Sequence, residues 1–516
     1  MTFRIDRRTA LQLGLQLGLG TAGSALASAF LGDIAWAQNK DTVTIGWPSD
    51  VPSWDPNQRF VPDAQPIFKL VFDQPLDQNE KLELVPKLIK TWDLAADGLS
   101  LTVEFRDDVT FHNGDKMTAE DFRYTFFERI KAGHKLDTAN SWRKVTDIEV
   151  ASPTKAVMKF NSAAPTAPQW LAFLGSFMVP KAYMEKVGQD AFREKPVGTG
   201  PYRLVDYQLN SRIVLERNDS YWGPKAKLKR ITFDIVKDPS ARVAAIQSGQ
   251  VDLTINVPVR EVDRLKREPT LNAEINPITR VILLQVRNDL GFADQNVRLA
   301  AHHAIDKAAL SKAFYGGAAV PLSAIGVPGA PGFPADFKFE YSPDKAKALL
   351  AKSGFSPEKP AQIKFAATNG HFPSDFDIAR AIQQMWKKVG IDAEIETIEY
   401  AKYFELNRGT KLPEATLYSF DNATGDPEIF VGYLLSPKMP FSAWKGMEVG
   451  DKIVDLFNVA DYNKRVAGWR ETNKFAIEFG ASIPLLQSVQ TVVRKKTLSY
   501  DKYANGWILA NTMSWT

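Results

Sequence analysis

VILLQVRNDLGFADQNVRLAAHHAIDKAALSKAFYGG, residues 281–317, decides the fold. Its first stretch, 281–286, is an apolar run rich in β-branched side chains, the composition of a strand buried on both faces. Asp294 or Asn296 then offers a side-chain oxygen to cap a helix, behind which Val297, Ala300, Ala301, Ala304 and Ile305 recur at helical spacing. Asp306 caps a second, shorter helix through Leu310 and Phe314. Gly316 and Gly317 end it, because glycine takes the positive backbone angles of a helix terminus without a Cβ penalty. A strand followed at once by capped helices is a unit of an α/β lobe.

At 516 residues the chain is too long for one core, so two or three domains are expected. Lys plus Arg (64) against Asp plus Glu (60) leaves +4, which makes no case for nucleic acid. Cysteine is absent, which excludes thiol catalysis, disulfides and thiolate metal sites. The 31 Phe, 14 Tyr and 12 Trp suit an aromatic-walled pocket and a large core alike.

Arg4, Arg7 and Arg8 precede an uncharged run over residues 9–32, and Ala35-Trp36-Ala37 places small residues before Gln38. This is the pattern of an export signal cleaved near Ala37-Gln38. Arg7-Arg8 resembles a twin-arginine signal, although Asp6 and Ala10 stand where that pattern has Ser or Thr and Phe, which keeps the general export route open. Without a cysteine to carry a lipid anchor, a freely diffusing periplasmic protein is expected. The glycines of residues 18–23 match a dinucleotide fingerprint by letter only, since no strand precedes them.

Beyond the signal, residues 41–47 alternate as a strand, residues 91–115 read as antiparallel hairpins, and Thr118 with Asp121 forms a capping box for a helix through Phe122, Phe126 and Ile130. Gly198 and Gly200, between Pro196 and Pro201, read as a tight structural turn, because no GK[ST] follows to make a phosphate cradle. Asp238 opens a helix that Gly249 ends. After a Pro/Gly-rich loop over residues 320–334, Ser342 and Pro343 start another helix, and a further α/β unit occupies residues 363–398.

FRDDVTFHNGDKMTAEDFRYTFFE (105–128), PVGTGPYRL (196–204), residues 215–253 and RND…FADQNVRLAAHHAIDKAAL (287–310) resemble signatures of the extracytoplasmic solute-binding proteins, family 5, of peptide and nickel ABC importers. The resemblance implies an α/β fold of two lobes with mixed sheets, a hinged cleft and an extra subdomain in the first lobe. On that template the first lobe takes residues 38–280 with the subdomain at about 58–190, the second takes 281–485, and residues 486–516 return to the first. It also implies a monomer that captures a peptide or peptide-like solute and delivers it to permease subunits in the inner membrane, with no nucleic-acid partner.

Catalytic chemistry has no signal in the sequence. His112 reads as a hairpin residue, and His302 and His303, about 100° apart on a helix, read as surface positions that could not chelate one ion together. No GxSxG or HExxH element appears, nor an SxxK element with its partner motifs, so no catalytic residue, cofactor or metal ligand is assigned. The ligand segment is expected at residues 417–428, where an apolar strand end runs into a polar Gly/Pro loop, the place where α/β clefts bind. In peptide-binding members of the resembling family, an aspartate of this loop pairs with the ligand's α-ammonium. Asp421 best matches that position and Asp426 is the rival, against turn and helix-cap roles for the two. Arg408 could meet a ligand carboxylate bidentately, and Trp54, Tyr418 and Trp444 are candidate pocket walls or core. The alternatives are a secreted hydrolase acting on peptides or sugars, and a ligand sensor for a membrane receptor.

Overall fold

Asp294 and Asp306 accept the backbone N–H groups of Asn296 (2.7 Å) and Ala309 (2.8 Å), capping the helices Gln295–His303 and Lys307–Tyr315. Gly316 ends the second of these at φ +58°. The computed structural model describes residues 41–516 apart from 60, 409, 410, 423, 440 and 441, and the export signal expected over 1–37 lies outside the described residues.

The expected strand at Val281 is the end of a longer one, Leu271–Val286, which runs antiparallel to Ser482–Lys495. Its first half carries Asn272, Glu274, Asn276 and Pro277, which interrupt the apolar pattern and hide it from a periodicity reading. The ladder slips between Pro277 and Val281 and resumes beyond. From Val281 onward, Ile282 and Leu284 face a core shared with the capped helices and Trp386. Val281 and Leu283 face the opposite side, with Trp444 and Trp469. Burial on both faces explains the unbroken apolar run, each such side chain contributing roughly 1.5–3 kcal/mol.

These two long strands lie in the middle of a ten-stranded mixed sheet. On one side of them stand Ala415–Phe420, Ala361–Ala367 and Ile391–Thr397; on the other stand Leu253–Ile255, Thr42–Trp47, Arg230–Ile235, Arg212–Arg217 and Tyr202–Gln208. Each half carries its own core, with Ile45, Phe68, Phe177 and Phe233 central to the half that opens the chain. The halves are the two lobes, and the long strands are the continuous secondary structure between them. The boundary expected at 280/281 therefore falls inside a strand.

A separate antiparallel sheet, ordered Ile89–Leu94, Ser100–Phe105, Lys155–Phe160, Val145–Ser152, forms the subdomain. The capping box beside it is present: Thr118 Oγ1 accepts from the Glu120 N–H, and the Thr118 N–H donates to Asp121 Oδ2 at 2.8 Å. The chain's end returns to its beginning, where Trp515 Nε1 donates to the Thr42 carbonyl at 2.8 Å. Among the described residues no helix is long and apolar enough to cross a membrane.

Two glycines and a histidine make the predicted turn. Gly200 N–H donates to the Val71 carbonyl at 3.0 Å, and His112 Nε2 stands 3.0 Å from the Gly200 carbonyl. A Cβ on Gly200 would lie 2.5 Å from the Val71 carbonyl carbon, so close backbone approach rather than phosphate binding explains the glycine. His302 and His303 correct the sequence reading, because both are buried. Their rings stack on Phe339 at 3.5 and 4.4 Å, and His302 Nε2 is 2.8 Å from Lys307 Nζ.

Candidate functional site

Where the two lobes meet at the long strands, a small cavity of about 30 Å³ is lined by Trp47, Asp63, Asn256, Arg280, Phe372 and Trp507, among others. That is room for about two waters, so a larger solute enters only by movement of the lobes or of these side chains. Arg280 stands in the strand slip between Pro277 and Val281, and its Nη2 lies 3.7 Å from Asp63 Oδ1. Asp63 comes from the single turn Pro62–Ala64 of the first lobe. His371, from the second lobe, brings Nδ1 to 3.8 Å from Asp63 Oδ2.

The loop that carries His371 is held by Asp375 at the start of the helix Asp375–Lys387. Asp375 accepts the Gly370 N–H at 2.9 Å, the His371 N–H at 3.0 Å and the Thr368 hydroxyl at 2.7 Å. His371 stacks on Tyr400 at 3.5 Å, and Tyr418, on the strand Ala415–Phe420, stacks on Tyr403 at 4.1 Å. The Tyr403 hydroxyl donates to Gln285 Oε1 of the long strand at 2.5 Å, which fixes this aromatic wall to the sheet.

Asp421 follows the end of that strand and is buried. Burial pushes its carboxyl up to about 6, although Arg280 pulls in the other direction. Its Oδ1 has no hydrogen-bond partner among the described residues. Burial also pulls His371 down to about 4, so its imidazole is neutral near pH 7, and its Nε2 has no partner there. Arg280 loses water as well, but Asp63 and then Asp421 outweigh that loss and keep it charged. The cluster thus sets two carboxylates and one guanidinium between stacked rings. It suits a charged solute head, and a buried acceptor such as Asp421 Oδ1 gains most from a cationic donor.

Of the six residues proposed from sequence, the structure gathers Asp421 and Tyr418 here. Asp426 instead accepts Arg465 Nη2 at 2.7 Å and the Glu428 N–H at 3.0 Å. Trp54 packs between Phe68 (6.2 Å) and Tyr207 (5.6 Å) in the first lobe. Trp444 donates to the Gly446 carbonyl at 3.0 Å and lies under the Arg298 guanidinium at 5.1 Å. Arg408 ends the helix Tyr400–Arg408, and its side chain lies outside the described residues. Asp63, Arg280, His371 and Tyr400 escape a sequence reading, because single polar residues in four distant segments carry no spacing that it could detect.

A family model described as bacterial extracellular solute-binding proteins, family 5, middle region, matches residues 83–440. The chain belongs to this family. The solute-binding protein is 26% identical to the nickel-binding periplasmic protein of Escherichia coli K12, over 91% of this chain and 94% of that one. It is 27% identical to the dipeptide-binding protein of the same organism, over 81% and 84%. Among solved structures, the periplasmic binding protein DppA of Helicobacter pylori in complex with the peptide STSA superposes with TM-score 0.84 at 22% identity, covering 92% of this chain and 98% of that one. At that identity the likeness shows the two-lobed fold of this solute-binding protein and no more.

Proposed function

We propose that this is the periplasmic substrate-binding component of an ABC importer, a monomer that closes on an amine-bearing, peptide-like solute and presents it to permease subunits in the inner membrane. The observation that carries this reading is Asp421, a buried carboxylate with one oxygen unpartnered, beside Arg280 and the stacked rings. Asp421 would take the ammonium of the solute, with Tyr418 and Tyr400 as walls, and no covalent step is involved. Arg280 would meet a carboxylate by exchanging it for Asp63. The first lobe would take residues 38–280 and the second 281–485, with hinge motion in the two long strands. Relatives named as dipeptide-binding and di/tripeptide-binding proteins support a peptide-like solute.

A second reading, a nickel chelate, is favoured by the unpartnered Nε2 of His371 and by relatives named as nickel-binding. A single imidazole would add one bond to a metal already held by a small molecule. The hydrolase and sensor alternatives draw no support from the relatives, which are named as binding proteins.

Calorimetric titration with di- and tripeptides, their N-acetylated forms and nickel–histidine tests the proposal. Free peptides are expected to bind and N-acetylated ones to lose about tenfold to a hundredfold in affinity, the cost of one buried charged hydrogen bond. Equal binding of acetylated and free peptides, or binding of the nickel chelate alone, would overturn it.

A further inference from the structure

Away from the cleft, the subdomain meets the second lobe through a buried polar contact that solute binding does not explain. Thr166, ahead of the short helix Ala167–Trp170, donates from Oγ1 to Glu428 Oε2 at 3.1 Å. Lys144 Nζ, also on the subdomain side, donates to the Phe457 carbonyl at 2.8 Å and to Asn458 Oδ1 at 2.9 Å, while holding the Ala163 carbonyl of its own side. Behind them Trp170 packs on Tyr433, ring centres 5.2 Å apart, and Thr166, Trp170, Glu428 and Tyr433 are all buried.

Lys144 and Thr166 lie at the borders of the inserted sheet, whereas Glu428 and Phe457 follow the strand Ala415–Phe420 of the second lobe. Among the described residues no strand pairing joins the subdomain sheet to the ten-stranded sheet. Side chains therefore make the contact, and it forms only where the two bodies come together. Glu428 is buried and must find its partner within the contact, and the half-buried Lys144 directs its donors to carbonyl and amide oxygens there, which together favour one register. Lys144 finds two acceptors across the boundary, and Glu428 finds a hydroxyl donor.

We propose that Lys144, Thr166 and Glu428 are positioning residues for solute capture: they form an interlobe latch that sets the balance between open and closed forms without touching the solute. The inference rests on the hinge closure proposed above. Because the free energy of closure enters the affinity for every solute alike, the latch tunes affinity in general and leaves selectivity to the Asp421 cluster.

The test uses the mature protein with spin labels on Lys90→Cys and Asp451→Cys, both exposed, in a chain that has no cysteine of its own. Pulsed electron spin resonance then reads the separation of the subdomain and the second lobe, with no solute added. Lys144→Met is expected to raise the ratio of long to short separations about fivefold, the net worth of one lost hydrogen bond. Lys144→Arg, which keeps the charge and the donors, should restore most of the short population. Thr166→Val should shift the balance in the same direction by less, and this milder change decides the matter if Lys144→Met does not fold. Distance distributions that match the unsubstituted protein in Lys144→Met and Thr166→Val, or a shift toward the short separation, would overturn the latch. Failure of the peptide titrations would leave these distances unchanged, so the two readings fail separately.

Discussion

Burial works against the charge that the role proposed for Asp421 needs. Its carboxyl is raised to about 6 by burial, against 3.8 for an unperturbed aspartate. The folded protein therefore takes up this proton more readily than the unfolded chain. The associated stability is present below the unfolded value and is lost as pH rises through about 6. Asp421→Asn removes the buried charge, so above pH 6 the solute-free variant should melt higher than the unsubstituted protein, with the difference shrinking toward pH 4; scanning calorimetry across that range reads it. The same substitution should weaken an ammonium-bearing peptide by about tenfold to a hundredfold. Unchanged affinity would remove Asp421 from the site. A bound ammonium favours the ionised carboxylate, so binding releases a proton near and below pH 6. Affinity should then fall as pH drops below about 6, by at most about tenfold per unit, and change little from pH 7 to about 7.5, above which the peptide ammonium itself begins to lose its proton. A flat affinity from pH 7.5 to 5 would contradict that linkage. Asp421 could be proposed from the sequence because it follows an apolar strand and matches a loop aspartate of the resembling family. Arg280, Asp63 and His371 could not, because only the folded chain brings them within 4 Å of one another in sequence-distant pairs.

Local physics decides most of the secondary elements, and those are the ones a sequence discloses. The caps at Thr118, Asp238, Asp294, Asp306 and Ser342 all accept the backbone donors that their positions predict. The long strand Leu271–Val286 is only half legible, because its first half is polar on a partly exposed surface and its ladder slips between Pro277 and Val281. His302 and His303 read as surface residues for a related reason: Phe339, which buries both, comes from a loop far along the chain. The turn 196–201 offers a direct test at this scale. Gly200→Ala would put a Cβ 2.5 Å from the Val71 carbonyl carbon, where backbone and not a mobile side chain must give way. Chemical denaturation should show a loss of roughly 3 kcal/mol, whereas a loss under about 0.5 kcal/mol would mean that the two backbones can separate at little cost.

At the scale of the whole molecule, each lobe has a core of its own, two long strands run between the lobes, and the subdomain meets the second lobe through a further apolar cluster. In the proposed scheme such an arrangement couples capture to closure: Arg280 stands at the strand slip, Asp421 follows the neighbouring strand, and the latch would stand elsewhere. The fold is legible because several long motifs agree with the α/β pattern. The solute is not, since a cleft is specified by a few side chains from both lobes. Native mass spectrometry of the purified mature protein, with gentle release and identification of anything bound, tests the claim of solute capture most directly. The expected result is a discrete small mass that carries a free amine, leaves unaltered and binds again when returned. A bound compound that emerges cleaved, or a protein that neither retains nor rebinds any amine-bearing peptide, would contradict it.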